Sequence, residues 1–422
     1  MSVPAAHPLR LGVLGLGRAF TLMLPTFAQD ARVRLVAAFD PREGARAAFA
    51  ATFGGRPHAS AEAVCADPAV EWVYVATPHQ MHAEHVALAA RHGKHVLVEK
   101  PMALTLDDCT RMIEACARAG TQLVVGHSHS FDAPVRRARQ LVDSGEFGAV
   151  RMVHAMQYTD FLYRPRRPEE LDTAQGGGVA FSQAAHQVDV VRLLAGGVVE
   201  QVRAYTGRWD PQRPTEGAYS ALLGFAGGAF ASLTYNGYGH YDTDALMDGV
   251  GELGAPKAPE AHQRTRARLQ AVQAQALTQG GPGADTATAA GRAAAAQAEA
   301  AEADLKAERN FGGRLYEPAP PGAPAACQHF GPVIVSCERG DLRLTPHGVQ
   351  VFTDAGPRFV PAPVPPVPRA EVVDELWAVG REGAAPVHGG AWSRATVAVC
   401  LALLESQRRG ADVVPAHQVG RA

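Results

Sequence analysis

The sequence predicts an α/β domain on a parallel sheet, followed by an α+β domain with a largely antiparallel, open sheet. Three observations lead there. The first third alternates short apolar runs with helix-period segments, the pattern of βαβ units. A glycine turn, Gly15–Gly17, directly follows the first of those runs. Beyond about residue 130, strand-like runs succeed one another without intervening helices. A chain of 422 residues also exceeds the ~250–300 at which a single core stops growing, so two domains are expected, 1–130 and 131–422.

Each element has a local reason. Residues 9–14, 33–39, 70–76, 95–98 and 123–126 are apolar runs of strand length. Gly93 and Gly120 sit where helices end on a left-handed residue. Thr105 and Asp108 form a capping box, and Leu106, Cys109, Met112, Ile113 and Cys116 then share one apolar face. That face makes Cys109 and Cys116 core residues rather than reactive thiols. In the second part, residues 150–158, 198–206, 220–225 and 229–235 read as antiparallel strands, the last two joined at Gly227-Gly228. Helices are expected near residues 184–194 and 394–408.

Composition excludes several classes. A formal net charge of −2 offers no attraction to nucleic acid or an anionic membrane. No apolar run reaches the ~18 residues that span a bilayer, and Met1–Pro8 lacks the pattern of a secretory signal. The six cysteines are scattered without a CxxC pair, which points to reduced thiols, no zinc site and a cytoplasmic protein. The histidines of TPHQMHAEH (His79, His82, His85) have no partnering cluster at metal-ligand spacing, so no metal is expected.

Residues 250–325 form an Ala/Pro-rich insertion. Its run Ala284–Ala307 is rich in helix formers but offers little apolar area. A solvated helical arm or partly disordered insertion is the expectation; an arm clasping a second subunit or covering a site is the alternative. Arg264, Arg266 and Arg268 within it read as a solvated helix face.

Three segments carry chemistry. In the first, Gly15 permits a tight turn and Gly17 lets the backbone, with Arg18 and Ala19 opening the helix, approach a pyrophosphate. Phe20 stands where the fingerprint's third glycine belongs. Asp40, 23 residues after Gly17, ends the second strand, where a carboxylate accepts the ribose hydroxyls of NAD and repels the 2′-phosphate of NADP. Arg42 softens that preference, so NAD is favoured over NADP. In the second, Glu99-Lys100-Pro101 follows a strand of an open parallel sheet, where ligands bind; a lysine there can stabilise an alkoxide, and a surface Glu99–Lys100 ion pair is the alternative. In the third, glycines 176–178 precede a helix carrying His186 and Asp189 on one face, a candidate base with a carboxylate neighbour.

In this order the segments resemble the glucose–fructose oxidoreductase, inositol dehydrogenase and MocA-like family. LGVLGLGRAF, ATPHQMHAEH, VLVEKPMALT, the strand VVGH, the GGG…H-x-x-D helix and HGGAWSRATVAVCLALLES carry the likeness. The resemblance implies a Rossmann domain, a sheet domain whose open face pairs subunits into a dimer or tetramer, and a nicotinamide dinucleotide. It implies catalytic roles for Lys100 and His186, and cofactor contacts at Gly15, Gly17, Arg18, Ala19, Asp40, Thr77, Pro78, His82, Glu99 and Lys100. Many sugar and polyol dehydrogenases of the family carry Asp four residues before that histidine; here it is Ser182.

FLYRPRRPEELDTAQGGG, SQAAHQVD, YNGYGHYDTD and PVIVSCERGDLRLTPHGV resemble the phthalate 4,5-cis-dihydrodiol dehydrogenase subgroup. That likeness implies oxidation of cis-4,5-dihydro-4,5-dihydroxyphthalate to 4,5-dihydroxyphthalate. Substrate contacts would come from Lys100, Ser182, His186 and Asp189, with Arg164, Arg166 and Arg167 reading carboxylates. The alternatives are a sugar, inositol or sugar-acid dehydrogenase, and a catalytically silent NAD-binding sensor or regulatory protein.

Overall fold

The computed structural model describes residues 7–280, 289–319 and 321–420. Positions 1–6 of the N-terminal segment, 284–288 of the alanine-rich run, and Pro320 fall outside them.

Six strands make a wholly parallel sheet: β1 (Leu9–Leu14), β2 (Val33–Phe39), β3 (Arg56–Pro57), β4 (Trp72–Val75), β5 (His95–Val98) and β6 (Leu123–Val125). Their order, β3-β2-β1-β4-β5-β6, is doubly wound, with the chain reversing direction across the sheet beside β1. Between them run α1 (Arg18–Gln29), α2 (Glu43–Phe53), α3 (Ala61–Ala66), α4 (His82–Arg91) and α5 (Leu106–Ala119). Both sheet faces are covered, so the strands are near-continuous apolar runs. At the start of α5, Thr105 accepts from the Asp108 amide at 3.1 Å, and its hydroxyl donates to that residue's carboxylate. Gly120 closes the helix at φ +67°. The two-residue β3 carried no period to detect.

The second sheet has eight strands: β7 (Val150–Tyr158), β8 (Val199–Gly207), β9 (Ala218–Phe225), β10 (Phe230–Asn236), β11 (Val333–Cys337), β12 (Gly340–Thr345), β13 (Gly348–Thr353) and β14 (Gly356–Pro361). Their order is β14-β13-β12-β11-β7-β10-β9-β8, antiparallel throughout except where β10 lies parallel to β7. One face is sealed by α6 (Ala133–Asp143), α8 (Ala184–Ala195) and α12 (Gly390–Arg409). The other presents Met152, Leu222, Phe230, Ile334 and Phe359 to solvent. The chain then returns to the first domain. Val372, Val373 and Leu376 of α11 (Ala370–Arg381) enter the parallel sheet's core, and Val397 of α12 enters its other face.

The insertion departs only in part from the expected solvated arm. Its helices α9 (Ala261–Gly280) and α10 (Ala289–Glu308) are largely solvent-facing where described, but they pack on each other and their outer ends are fastened down. Glu302 makes two hydrogen bonds to the buried guanidinium of Arg213, at 2.8 and 3.1 Å, and Lys306 pairs with Glu170. Arg266 stacks on Tyr163 at 3.6 Å and donates to the Tyr238 carbonyl, so it too departs from a solvated face. Phe311 then packs edge-on against Phe20. Alanine supplies little apolar area, and buried ion pairs with partners remote in sequence fasten the arm instead. Among the described residues, no helix is long and apolar enough to cross a membrane.

Candidate active site

The glycine turn lies at the carboxyl end of β1. Gly15 adopts φ +92°, and a Cβ there would stand 2.7 Å from the Ala76 carbonyl oxygen, so the turn excludes a side chain. A Cβ on Gly17, the N-cap of α1, would meet nothing within 4 Å. That open space over a helix N-terminus fits a pyrophosphate. Asp40 ends β2 as a buried carboxylate, accepting from the Leu16 amide at 2.7 Å and from Arg42 Nε at 2.9 Å. Arg42 reaches on to the carbonyls of Leu16 (2.9 Å) and Ala307 (3.3 Å), joining the end of β2 to the insertion. Arg18 pairs with Glu252, and Ala19 packs partly buried beside the first core. Phe20, in the position of the missing glycine, is fully buried and capped by Phe311.

At the end of β4, Thr77 Oγ1 bonds His85 Nδ1 (3.0 Å), and the Thr77 carbonyl faces His82 Nε2 (3.0 Å). His82 Nδ1 bonds the Pro101 carbonyl at 3.0 Å, and His79 Nδ1 the Gly176 carbonyl at 3.3 Å. Pro78 caps the short turn between them. These histidines pin loops together. Among the described residues, no group of three or more His, Cys, Asp or Glu side chains is placed to hold a metal.

Lys100 leaves β5 through a cis bond to Pro101 and donates from Nζ to the Ser182 carbonyl at 2.9 Å. Glu99 is buried and accepts from the Tyr74 hydroxyl at 2.6 Å, so the two neighbours are no surface ion pair. Burial pulls the Lys100 ammonium down to about 8 against the opposing charge of Glu99. Ser182 presents its carbonyl to Lys100 and turns its hydroxyl to the Gly178 carbonyl within α7 (Gly178–Ser182).

His186, on α8, is buried, and among the described residues its Nδ1 has no partner. Burial and the Lys100 charge hold the imidazole neutral, its pKa well below 6.5. Asp189 does not orient it. Its carboxylate takes Trp392 Nε1 (2.5 Å), Thr396 Oγ1 (3.0 Å) and the Ser130 hydroxyl, tying α8 to α12. The spacing of three placed both side chains on one helical face, but partners from α12 claimed the acid. An imidazole with an orienting carboxylate does stand nearby. His129 lies edge-on to His186, ring centroids 4.8 Å apart, with its Nδ1 2.6 Å from Asp132. Nothing in its spacing singled out His129 in the sequence.

The three loop arginines each face an acid. Arg164 Nε meets Asp160 at 2.9 Å, and Arg167 Nε meets Glu169 at 3.1 Å. Arg166 is nearly buried, stacks on Phe161 at 3.7 Å and lies 3.9 Å from Glu170. Arg369, which the sequence did not mark, is buried at the N-cap of α11 and donates to Gln328.

A parallel sheet with this glycine turn, and a lysine and a histidine converging from two domains, defines a nicotinamide-dependent oxidoreductase. The chain belongs to the Gfo/Idh/MocA oxidoreductase family. The family's NAD-binding Rossmann model matches residues 9–127, and its C-terminal domain model matches 135–255. Over 398 residues, 94% of each chain, it is 46% identical to 1-carboxy-3-chloro-3,4-dihydroxycyclohexa-1,5-diene dehydrogenase of Comamonas testosteroni. A solved structure from Bordetella bronchiseptica RB50, assigned as a dehydrogenase, superposes with TM-score 0.83 at 38% identity, covering 96% of this chain and 100% of that one. The WlbA dehydrogenase of Bordetella pertussis, solved with NADH and UDP-GlcNAcA, shares the fold at TM-score 0.64 and 22% identity, covering 97% and 99%.

Proposed function

We propose that the chain oxidises a ring-carboxylated cyclic cis-diol with NAD, yielding an aromatic diol. One observation carries the reading: Lys100 donates to the carbonyl of Ser182, four residues before His186, in a chain alike over 94% of its length to a dehydrogenase named for a carboxylated cyclohexadiene diol. A bound nicotinamide dinucleotide supplies the hydride acceptor. Lys100 donates to the reacting hydroxyl and stabilises its developing negative charge. His186, neutral through burial, takes the hydroxyl proton. His129, held by Asp132, stands ready as a second proton acceptor. Asp40 favours NAD, and Arg42 beside it narrows the margin over NADP. Cis-4,5-dihydro-4,5-dihydroxyphthalate is the narrower substrate reading.

The open face of the second sheet supports self-association. Leu222, Ile334 and Phe359 share one cross-strand row of that face, interleaved with Ser232, His154, Arg343 and Gln350, a mixed surface of the kind that pairs subunits. Sedimentation should show a dimer or tetramer.

The test is absorbance at the NADH band with a substrate panel. Turnover of phthalate or chlorobenzoate cis-dihydrodiol with NAD is the expected result. Turnover of myo-inositol or aldoses instead overturns the diol reading in favour of a sugar dehydrogenase. Tight NADH binding without turnover of any of them makes the chain a silent sensor.

A further inference from the structure

The arginines that sequence offered as carboxylate readers are each matched by a nearby acid. Arg369 is not. It is 7% exposed, yet among the described residues its guanidinium makes no ion pair and one hydrogen bond, Nε to Gln328 Oε1 at 3.3 Å. Nη1 and Nη2 have no partner there, and neither is sealed from solvent. An unpaired cation at this depth is costly unless an anion meets it. The backbone adds a second anomaly. Arg369 sits at φ 59°, ψ 25°, a left-handed conformation that non-glycine residues adopt at a cost and that clusters at ligand sites.

Its surroundings identify the end of the crevice it serves. Gln328, which it contacts, donates to Asp132 at 2.9 Å, and Asp132 holds His129 beside His186. The Arg369 charge also acts on Lys100, His129 and His186. It acts as well on Glu99, Asp132 and Glu252, the last paired with Arg18 at the start of α1, so the hydrogen bonds through Gln328 are what tie Arg369 to the His129 end.

We infer that Arg369 is the carboxylate-reading residue of the substrate site, its two free Nη groups forming a fork for a ring carboxylate. This rests on the diol reading above and names the feature by which the site selects among diols. A guanidinium fork pairs both oxygens of a carboxylate in one plane, which fixes the ring's orientation as well as its charge.

The test compares wild type, Arg369→Gln, Arg369→Lys and Arg166→Ala on a ring-carboxylated cis-dihydrodiol and on its uncharged counterpart. Arg369→Gln should lower the ratio of the two kcat/KM values by at least ~10-fold, the range for loss of a charged hydrogen-bond partner. Arg369→Lys should restore part of the ratio, and NADH affinity, read by fluorescence titration, should hold in each variant as evidence of folding. An unchanged ratio, a change in Arg166→Ala alone, or a loss confined to NADH affinity overturns the assignment while leaving the dehydrogenase reading in place. Should wild type oxidise neither diol, the diol reading falls. Benzoate binding to the enzyme–NADH complex then decides the inference alone: binding that Arg369→Gln abolishes supports it, and binding that the variant retains overturns it.

Discussion

The two ends of the crevice are built on different principles. At the adenosine end the polar groups satisfy one another. Asp40 holds the Leu16 amide and Arg42, and Arg42 in turn holds two carbonyls, one of them from the insertion. At the reacting end His186 and Arg369 are buried, yet among the described residues His186 Nδ1 and the two Arg369 Nη groups have no protein partner, and Lys100 Nζ holds a single backbone carbonyl. A binding end gains from rigidity, whereas a chemical end must leave its acids, bases and charges free for a substrate. The contrast separates residues whose loss weakens the scaffold from those whose loss stops the reaction.

Lys100→Met breaks the contrast most sharply. Turnover should fall at least ~10²-fold, as when one preorganised donor to developing charge is removed, with NADH affinity nearly unchanged. Stopped-flow rates and fluorescence titration read the two quantities; near-full turnover would sink the role given to Lys100. Glu302→Ala tests the scaffold end. It strands the buried Arg213 charge, so stability should drop by about 3–5 kcal/mol in denaturant melts. A change under 1 kcal/mol would mean that the hairpin is not anchored there.

Asp40→Ala should act more mildly. It removes the carboxylate that orders the turn and repels a 2′-phosphate, so NAD affinity should weaken by about tenfold and the gap to NADP narrow. Equal preference before and after, measured as paired dissociation constants, places the ribose elsewhere. The smallest effect is the pH response. The Lys100 ammonium is charged below about 8 and is lost as pH rises through that value, so kcat/KM should fall progressively above it. Lys100→Arg should push the alkaline fall to higher pH in whatever activity remains. A rate flat from pH 7 to 10 contradicts the assignment.

Much of the first domain was legible because its signals are local. Gly15, Gly17, Thr105 and Gly120 each answer a steric or hydrogen-bonding need met within a few residues, and the strands have no polar face to disguise them. Lys100 was legible through its place after β5. The reading failed where an element's partners lie far along the chain. Asp189 shares a helical face with His186, but Trp392 and Thr396, some two hundred residues later, claim its carboxylate. The alanine-rich helices gave no apolar face to read, and Arg213 and Glu170 fasten them through charge.

Sequence by itself therefore determined the parallel sheet, the glycine turn, Asp40 at the end of β2 and Lys100 at the end of β5, since backbone geometry and apolar period act over short spans. Tertiary structure alone decided which ionisable groups share the reacting end. His129 comes from the loop after β6, His186 from α8 and Arg369 from the N-cap of α11. No local rule relates them. The charge environment of each is set by what the fold packs around it, and burial is a property of the assembled chain.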